Sequence, residues 1–127
     1  MNKRLKIGLF GFGVVGQGLY DTIKGQDLNL ELTKIAIKDN SKPRSLPKSL
    51  FTTNHEDIFN NPEINTIVEL INDADAAYEI VKRALKSNKN VVSANKKMIA
   101  EHLEELVTLQ KENGTSLLYE GAVCGSI

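Results

Sequence analysis

Near its start the chain runs Ile7-Gly8-Leu9-Phe10-Gly11-Phe12-Gly13-Val14-Val15-Gly16, an apolar stretch ending in Gly-x-Gly-x-x-Gly. Three glycines at this spacing say little alone; their neighbourhood gives them meaning. Leu5 to Phe10 reads as a strand, and Val15, Leu19 and Ile23 recur at helical spacing, so the glycines fall where a strand turns directly into a helix. At such a turn Gly11 permits a sharp exit from the strand, Gly13 lets a pyrophosphate approach the backbone, and Gly16 lets the helix pack closely on the sheet. The unpaired N–H groups of the first helical turn, at the positive end of the dipole, complete an anion site. A turn that bound nothing would have little use for three glycines, each of which loses conformational entropy on folding.

The rest of the composition narrows the class. A length of 127 residues suits one domain, residues 1–127, with a core of its own. Sixteen Lys and Arg balance 16 Asp and Glu, so no overall field favours nucleic acid or an anionic membrane, and any anion site must be local. Neither nucleic acid nor membrane is expected as a partner. The single cysteine, Cys124, has no intramolecular partner, and no charged-then-apolar leader precedes the first strand, which together point to the cytoplasm. No apolar run approaches the roughly 20 residues that span a bilayer.

Strands and helices alternate along the chain. After a break at Gly25-Gln26-Asp27, Leu28 to Ile37 reads as a second strand whose apolar phase slips between Leu32 and Ile35, implying a bulge or burial on both faces. Lys38 to Thr53, with Pro43 and Pro47, reads as a polar connector. Asn54 caps a short helix through Phe59, which Asn60-Asn61-Pro62 ends. Ile64 to Ile71 is a buried strand, and Ala77, Ile80, Val81, Ala84 and Leu85 form one helical face. Val91-Val92 is a short strand. Asn95 caps a helix marked by Ile99, Leu103, Leu106 and Val107 and closed by Asn113-Gly114; Ser116 to Tyr119 is the next strand. This order predicts an α/β domain with a doubly wound parallel sheet of Rossmann type and right-handed crossovers.

Such a sheet binds its ligand outside the C-terminal ends of its strands. The residues there are Phe10 to Val15, Lys38-Asp39, Ile71-Asn72-Asp73, Ser93 to Lys96, and Glu120 onward. Asp39 lies about 20 residues beyond Gly16, where a carboxylate accepts from the ribose 2′-OH of NAD. Lys38, with Arg44, offers instead a charge-assisted pair for the 2′-phosphate of NADP. NADP is slightly favoured and NAD stays open. Lys96 stands in the first turn of its helix, where a cation opposes the dipole, so a helical role alone does not account for it; a solvated surface lysine is the alternative. His55 and His102 sit in polar helical contexts without the neighbours a metal site needs.

Taken together, Ile7 to Gly16, Ala36-Ile37-Lys38-Asp39 with Lys42-Pro43-Arg44, Val68-Glu69-Leu70-Ile71, Val91-Val92-Ser93-Ala94-Asn95-Lys96 and Tyr119-Glu120-Gly121-Ala122-Val123-Cys124-Gly125-Ser126-Ile127 resemble the N-terminal, nucleotide-binding domain of homoserine dehydrogenases. The first segment is shared by many Rossmann families; the Ser-Ala-Asn-Lys and Glu-x-x-Val-x-Gly-x-Ile segments are far more specific. The resemblance implies an enzyme that interconverts aspartate β-semialdehyde and homoserine with NAD or NADP, on the route to threonine and methionine. It implies that Phe12, Gly13, Val14 and Val15 line the dinucleotide, that Lys38 faces the adenosine ribose, and that Ser93 and Lys96 lie near nicotinamide and substrate, with Lys96 positioning the substrate; Gly11, Gly16, Asp39 and Asn72 join the cofactor-binding candidates by their places at the strand ends. It also implies that Glu120, Val123, Gly125 and Ile127 hold a structural monovalent cation, sodium, through oxygen ligands.

The chain departs from that family pattern at Asn72-Asp73, where a Gly-Gly pair is usual, and at Ser93, Gly121 and Ser126, which replace Thr, Ala and Gly. A carboxylate at Asp73 repels cofactor phosphates unless it points away. The resemblance further implies a fragment, inactive alone, whose parent is a homo-oligomer with the substrate domain and its acid/base groups beyond Ile127. Two other readings remain open: a stand-alone NAD(P)-sensing domain, which has no need of a substrate-facing lysine, and a dehydrogenase for another small amino acid or aldehyde.

Overall fold

The computed structural model describes residues 4–25, 29–38 and 46–119. Strand β1 (Leu5–Phe10) leads into helix α1 (Val14–Gly25), and β2 (Leu30–Ala36) follows. A single 3-10 turn at Lys48–Leu50 opens into β3 (Phe51–Thr52), then α2 (Glu56–Phe59), β4 (Thr66–Glu69), α3 (Ala74–Lys86), β5 (Asn90–Ser93), α4 (Lys96–Asn113) and β6 (Leu117–Tyr119). Among the described residues six strands form one sheet in the order β3-β2-β1-β4-β5-β6, and every neighbouring pair is parallel. The expected doubly wound α/β sheet is therefore present, with one strand more than the sequence suggested. The connector from Lys38 to Thr53 is not wholly irregular: Ile35 and Ala36 pair with Phe51 and Thr52, and the Ile37 N–H donates to the Thr52 carbonyl at 2.8 Å. Two residues are too few to show a period of their own.

The slip in apolar phase along β2 is a bulge. Ile7 pairs with Leu32 but Gly8 pairs with Lys34, so Thr33 is the extra residue. This lets Ile35 turn fully inward at 0% exposure after a run of half-buried neighbours.

On one face of the sheet α3 buries Ala77, Ile80, Val81, Ala84 and Leu85, the five residues its periodicity singles out, against Phe10, Ile67, Val91 and Leu117. Helix α4 adds Met98, Ile99 and Leu106 to that layer. Its axis bends at His102, whose backbone (φ −125°, ψ 18°) is not helical, and it ends at Gly114 in the left-handed region (φ 64°), which a Cβ would oppose. The other face, over β1 and β2, packs Ile7, Leu9, Ile35 and Val68 with Leu19 of α1. Val92 and Leu118, paired in register on β5 and β6, are exposed, so among the described residues no helix covers that end of this face.

A buried lysine pins the opposite, N-terminal edge of the sheet. Lys89 is 6% exposed, and its ammonium donates to the carbonyls of Ile64 (2.6 Å) and Asn61 (3.2 Å). These bonds tie the turn before β4 to the turn before β5, and desolvation lowers the lysine below its usual range. Replacing Lys89 by Met keeps the apolar stem but leaves both carbonyls without that donor. Urea unfolding is expected to show a loss of about 1–3 kcal/mol.

Candidate functional site

The β1–α1 turn has the geometry that the glycine spacing requires. Gly11 has φ +91°, a region hostile to side chains, and a Cβ there would lie 3.2 Å from the Leu70 carbonyl oxygen. Its N–H donates to the Ala36 carbonyl at 3.1 Å, tying the turn to the end of β2. At Gly16 a Cβ would meet the Phe12 ring at 2.9 Å and the Gly11 carbonyl at 3.4 Å. The close packing that Gly16 permits is thus helix against its own turn, and not helix against the strand face. Phe12 is held in turn by an edge-on contact with Phe51, the ring centroids 5.4 Å apart.

Gly13 differs from both. A Cβ there would meet nothing within 4 Å, so its glycine answers no demand of the fold. Its carbonyl accepts the Gln17 N–H at 2.9 Å, the first such bond of the helix, so the N–H groups of residues 14–16 have no partner within α1. No carboxylate stands in that first turn. Open space, first-turn amides that the helix itself does not use and a positive helix end fit a pyrophosphate, the group the glycine pattern implies.

The neighbouring strand ends bring the other candidates to the same edge. Lys38 is exposed just past β2. Asn72 and Asp73 follow β4 and are exposed, and the Asp73 carboxylate is turned onto its own helix, where it caps α3 by accepting from the N–H of Asp75 (2.9 Å) and Ala76 (3.3 Å). The carboxylate is thus engaged by the start of its own helix. Asn95 caps α4 as its position suggests, accepting the Met98 N–H at 2.9 Å, and Lys96 is the first, exposed residue of that helix. Asp39, Glu120, Val123, Gly125 and Ile127 lie outside the described residues. Among those described, no group of three His, Cys, Asp or Glu side chains is placed to hold a metal ion, and no helix is long and apolar enough to cross a membrane.

Ser93, expected near the nicotinamide, has its side chain turned inward. It is 3% exposed, and its hydroxyl donates to Glu69 Oε1 at 2.6 Å while accepting the Asn95 N–H at 3.2 Å. Glu69 was no candidate on sequence grounds, yet it is 0% exposed at the end of β4 and accepts the Ile71 N–H on its other oxygen at 2.6 Å. Burial pushes its carboxyl above the usual carboxylate range, and the bonds from Ser93 and Ile71 oppose that only in part. The sequence did carry a signal: an acid inside the apolar run Ile67-Val68-Glu69-Leu70-Ile71 must find donors if the run is buried.

The fold agrees with comparisons to known proteins. A family model described as homoserine dehydrogenase, NAD binding domain, matches residues 11–120. The homoserine dehydrogenase of Bacillus subtilis is 33% identical over 98% of this chain and 31% of its own length. The crystal structure of S. aureus homoserine dehydrogenase at pH 6.0 superposes with a TM-score of 0.83 at 34% identity, covering 93% of this chain and 32% of that one. That of Thiobacillus denitrificans gives 0.82 at 30% identity, covering 93% and 30%. This chain therefore spans about a third of the length of these relatives.

Glu69 gives the site a pH signature. Its folded carboxyl is raised above 4.5, so over the interval between 4.5 and the folded value the folded chain holds a proton that the unfolded chain has released. Its contribution to stability is complete below that interval and is lost as pH rises through it. The unfolding free energy of wild type relative to Glu69→Gln, which cannot ionise, is expected to decline as pH rises above 4.5. Urea unfolding of the two proteins across that range measures the difference.

Proposed function

Because the chain belongs to the homoserine dehydrogenase NAD-binding domain family, we propose that it is the dinucleotide-holding part of an enzyme that interconverts homoserine and aspartate β-semialdehyde. The observation that carries this reading is the open space in front of Gly13 at the start of α1. When bound, the nicotinamide dinucleotide supplies or takes up the hydride. The chain's own residues bind and orient. The N–H groups of residues 14–16 hold the pyrophosphate, Gly11 and Gly13 let it approach, and Lys38 faces the adenosine ribose from the end of β2.

Lys96 contributes a cation at the end of β5, beside the cofactor, where it holds an anionic group of the substrate. Proton transfer to and from the substrate oxygen is assigned to a part of the relatives' length that this chain does not span. Glu120, Val123, Gly125 and Ile127 are assigned a sodium ion on the strength of their motif.

NADPH titration by fluorescence tests the site. Gly13→Val places side-chain carbons where the phosphates approach, so it is expected to abolish binding, while its melting temperature stays near wild type because a Cβ at Gly13 meets nothing. Retained affinity would overturn the site.

Lys38 is assigned the preference for NADP over NAD. Replacing it by Asp removes a charge-assisted contact with the 2′-phosphate and adds repulsion, which is expected to shift the ratio of NADP to NAD affinities by about tenfold or more, 1.4 kcal/mol per decade. An unchanged ratio would assign the ribose to another group.

A further inference from the structure

We propose that Glu69 is a positioning residue of the dinucleotide site, holding the Ile71–Asp73 turn and the first turn of α4 in one fixed relation through Ser93 and Asn95. The bonds close a ring. Glu69 accepts from the Ile71 N–H (2.6 Å) and the Ser93 hydroxyl (2.6 Å), and Ser93 Oγ accepts from the Asn95 N–H (3.2 Å). Asn95 Nδ2 then returns to the carbonyls of Ile71 (2.9 Å) and Asn72 (3.4 Å). Glu69, Ser93 and Asn95 are 0%, 3% and 8% exposed, whereas Asn72, Asp73, Ala94 and Lys96 on the outer side are exposed. The ring therefore lies directly beneath the exposed rim of the site.

Its chemistry argues for geometry over stability. A buried carboxylate costs desolvation, and an apolar side chain at the end of β4 would avoid that cost. What an apolar residue cannot do is engage two donors from different elements, one on the turn after β4 and one on β5. Each bond in the ring also fixes the next partner: Asn95 both closes the ring and caps α4, so the start of the helix carrying Lys96 follows the turn that carries Asn72. The Ser93 hydroxyl is engaged within the ring, so its service to a ligand is indirect.

The proposal rests on the dinucleotide reading, and the experiment separates the two. NADPH affinity and residue-resolved amide hydrogen exchange are measured for wild type, Ser93→Ala, Glu69→Gln and the double variant; Ser93→Ala, the smaller excision, preserves the test if Glu69→Gln does not fold. Each single variant is expected to weaken NADPH about tenfold, with the double variant no weaker than the poorer single, because either change opens the same ring. Exchange at Ile71 and Asn95 is expected to accelerate together in both singles, while the amides of β6 are unchanged. A lowered melting temperature with unchanged affinity, a double variant showing the product of the two losses, or exchange that accelerates at only one of the two amides would each overturn the proposal. Wild type that binds neither NADPH nor NADH would overturn the dinucleotide reading, and paired acceleration at Ile71 and Asn95 would still support the mechanical link between turn and helix.

Discussion

Parallel pairing of all six strands is the constraint on which the rest of the molecule depends. A parallel neighbour cannot be reached by a tight turn, so each strand must be followed by a crossover, and every crossover begins at the same edge of the sheet. The order β3-β2-β1-β4-β5-β6 then adds a condition. The chain moves outward from β1 in one direction through β2 and β3, and from β4 in the other through β5 and β6. The crossovers after β1 and β4 therefore part from each other, and a crevice opens between them at the C-terminal edge. The β1–α1 turn, Asn72, Asp73 and Lys96 share that edge for this reason, although they are far apart in sequence.

The β1–α1 turn meets this constraint with very little spare room. Leu70, just past β4, lies against Gly11 closely enough that a Cβ would crowd its carbonyl, and the Phe12 ring fills the space beside Gly16. Phe12 in turn leans on Phe51 of β3, so the shortest strand of the sheet buttresses the turn at its centre. Two of the three glycines are thus fixed by the protein's own packing. At Gly13 a Cβ meets no such neighbour, so packing among the described residues does not demand glycine there.

Much of this was legible in the sequence because it was local. The glycine turn, the five-residue face of α3, the slip in β2 and the Asn95 cap each depend on residues within a few positions of one another. What was not legible depends on distant neighbours. β3 has two residues and acquires its identity from Ile35 and Ala36. Asp73 reads as an unwelcome charge until the first residue of α3 is known, after which it is a cap. Lys89 sits between two asparagines and looks like a solvated loop residue, yet the carbonyls of Asn61 and Ile64 bury it. Glu69 combines both difficulties: its partners come from β5 and from the turn beyond its own strand, and no pattern along β4 announces them.

The two edges of the sheet each bury a titratable group, but to different ends. Lys89 donates to backbone carbonyls that belong to turns, and its loss would loosen the fold where nothing is expected to bind. Glu69 accepts from one backbone amide and one hydroxyl at the edge where the crevice opens. The first-turn amides of α1 are already fixed by the helix itself and need no further support. The Ile71–Asp73 turn and the start of α4 leave their strands independently, so neither helix sets the one against the other. A buried ring that joins them supplies what the helix supplies at α1, a fixed set of groups facing a ligand before it arrives. That preorganisation is the physical gain against which the cost of burying a carboxylate must be set.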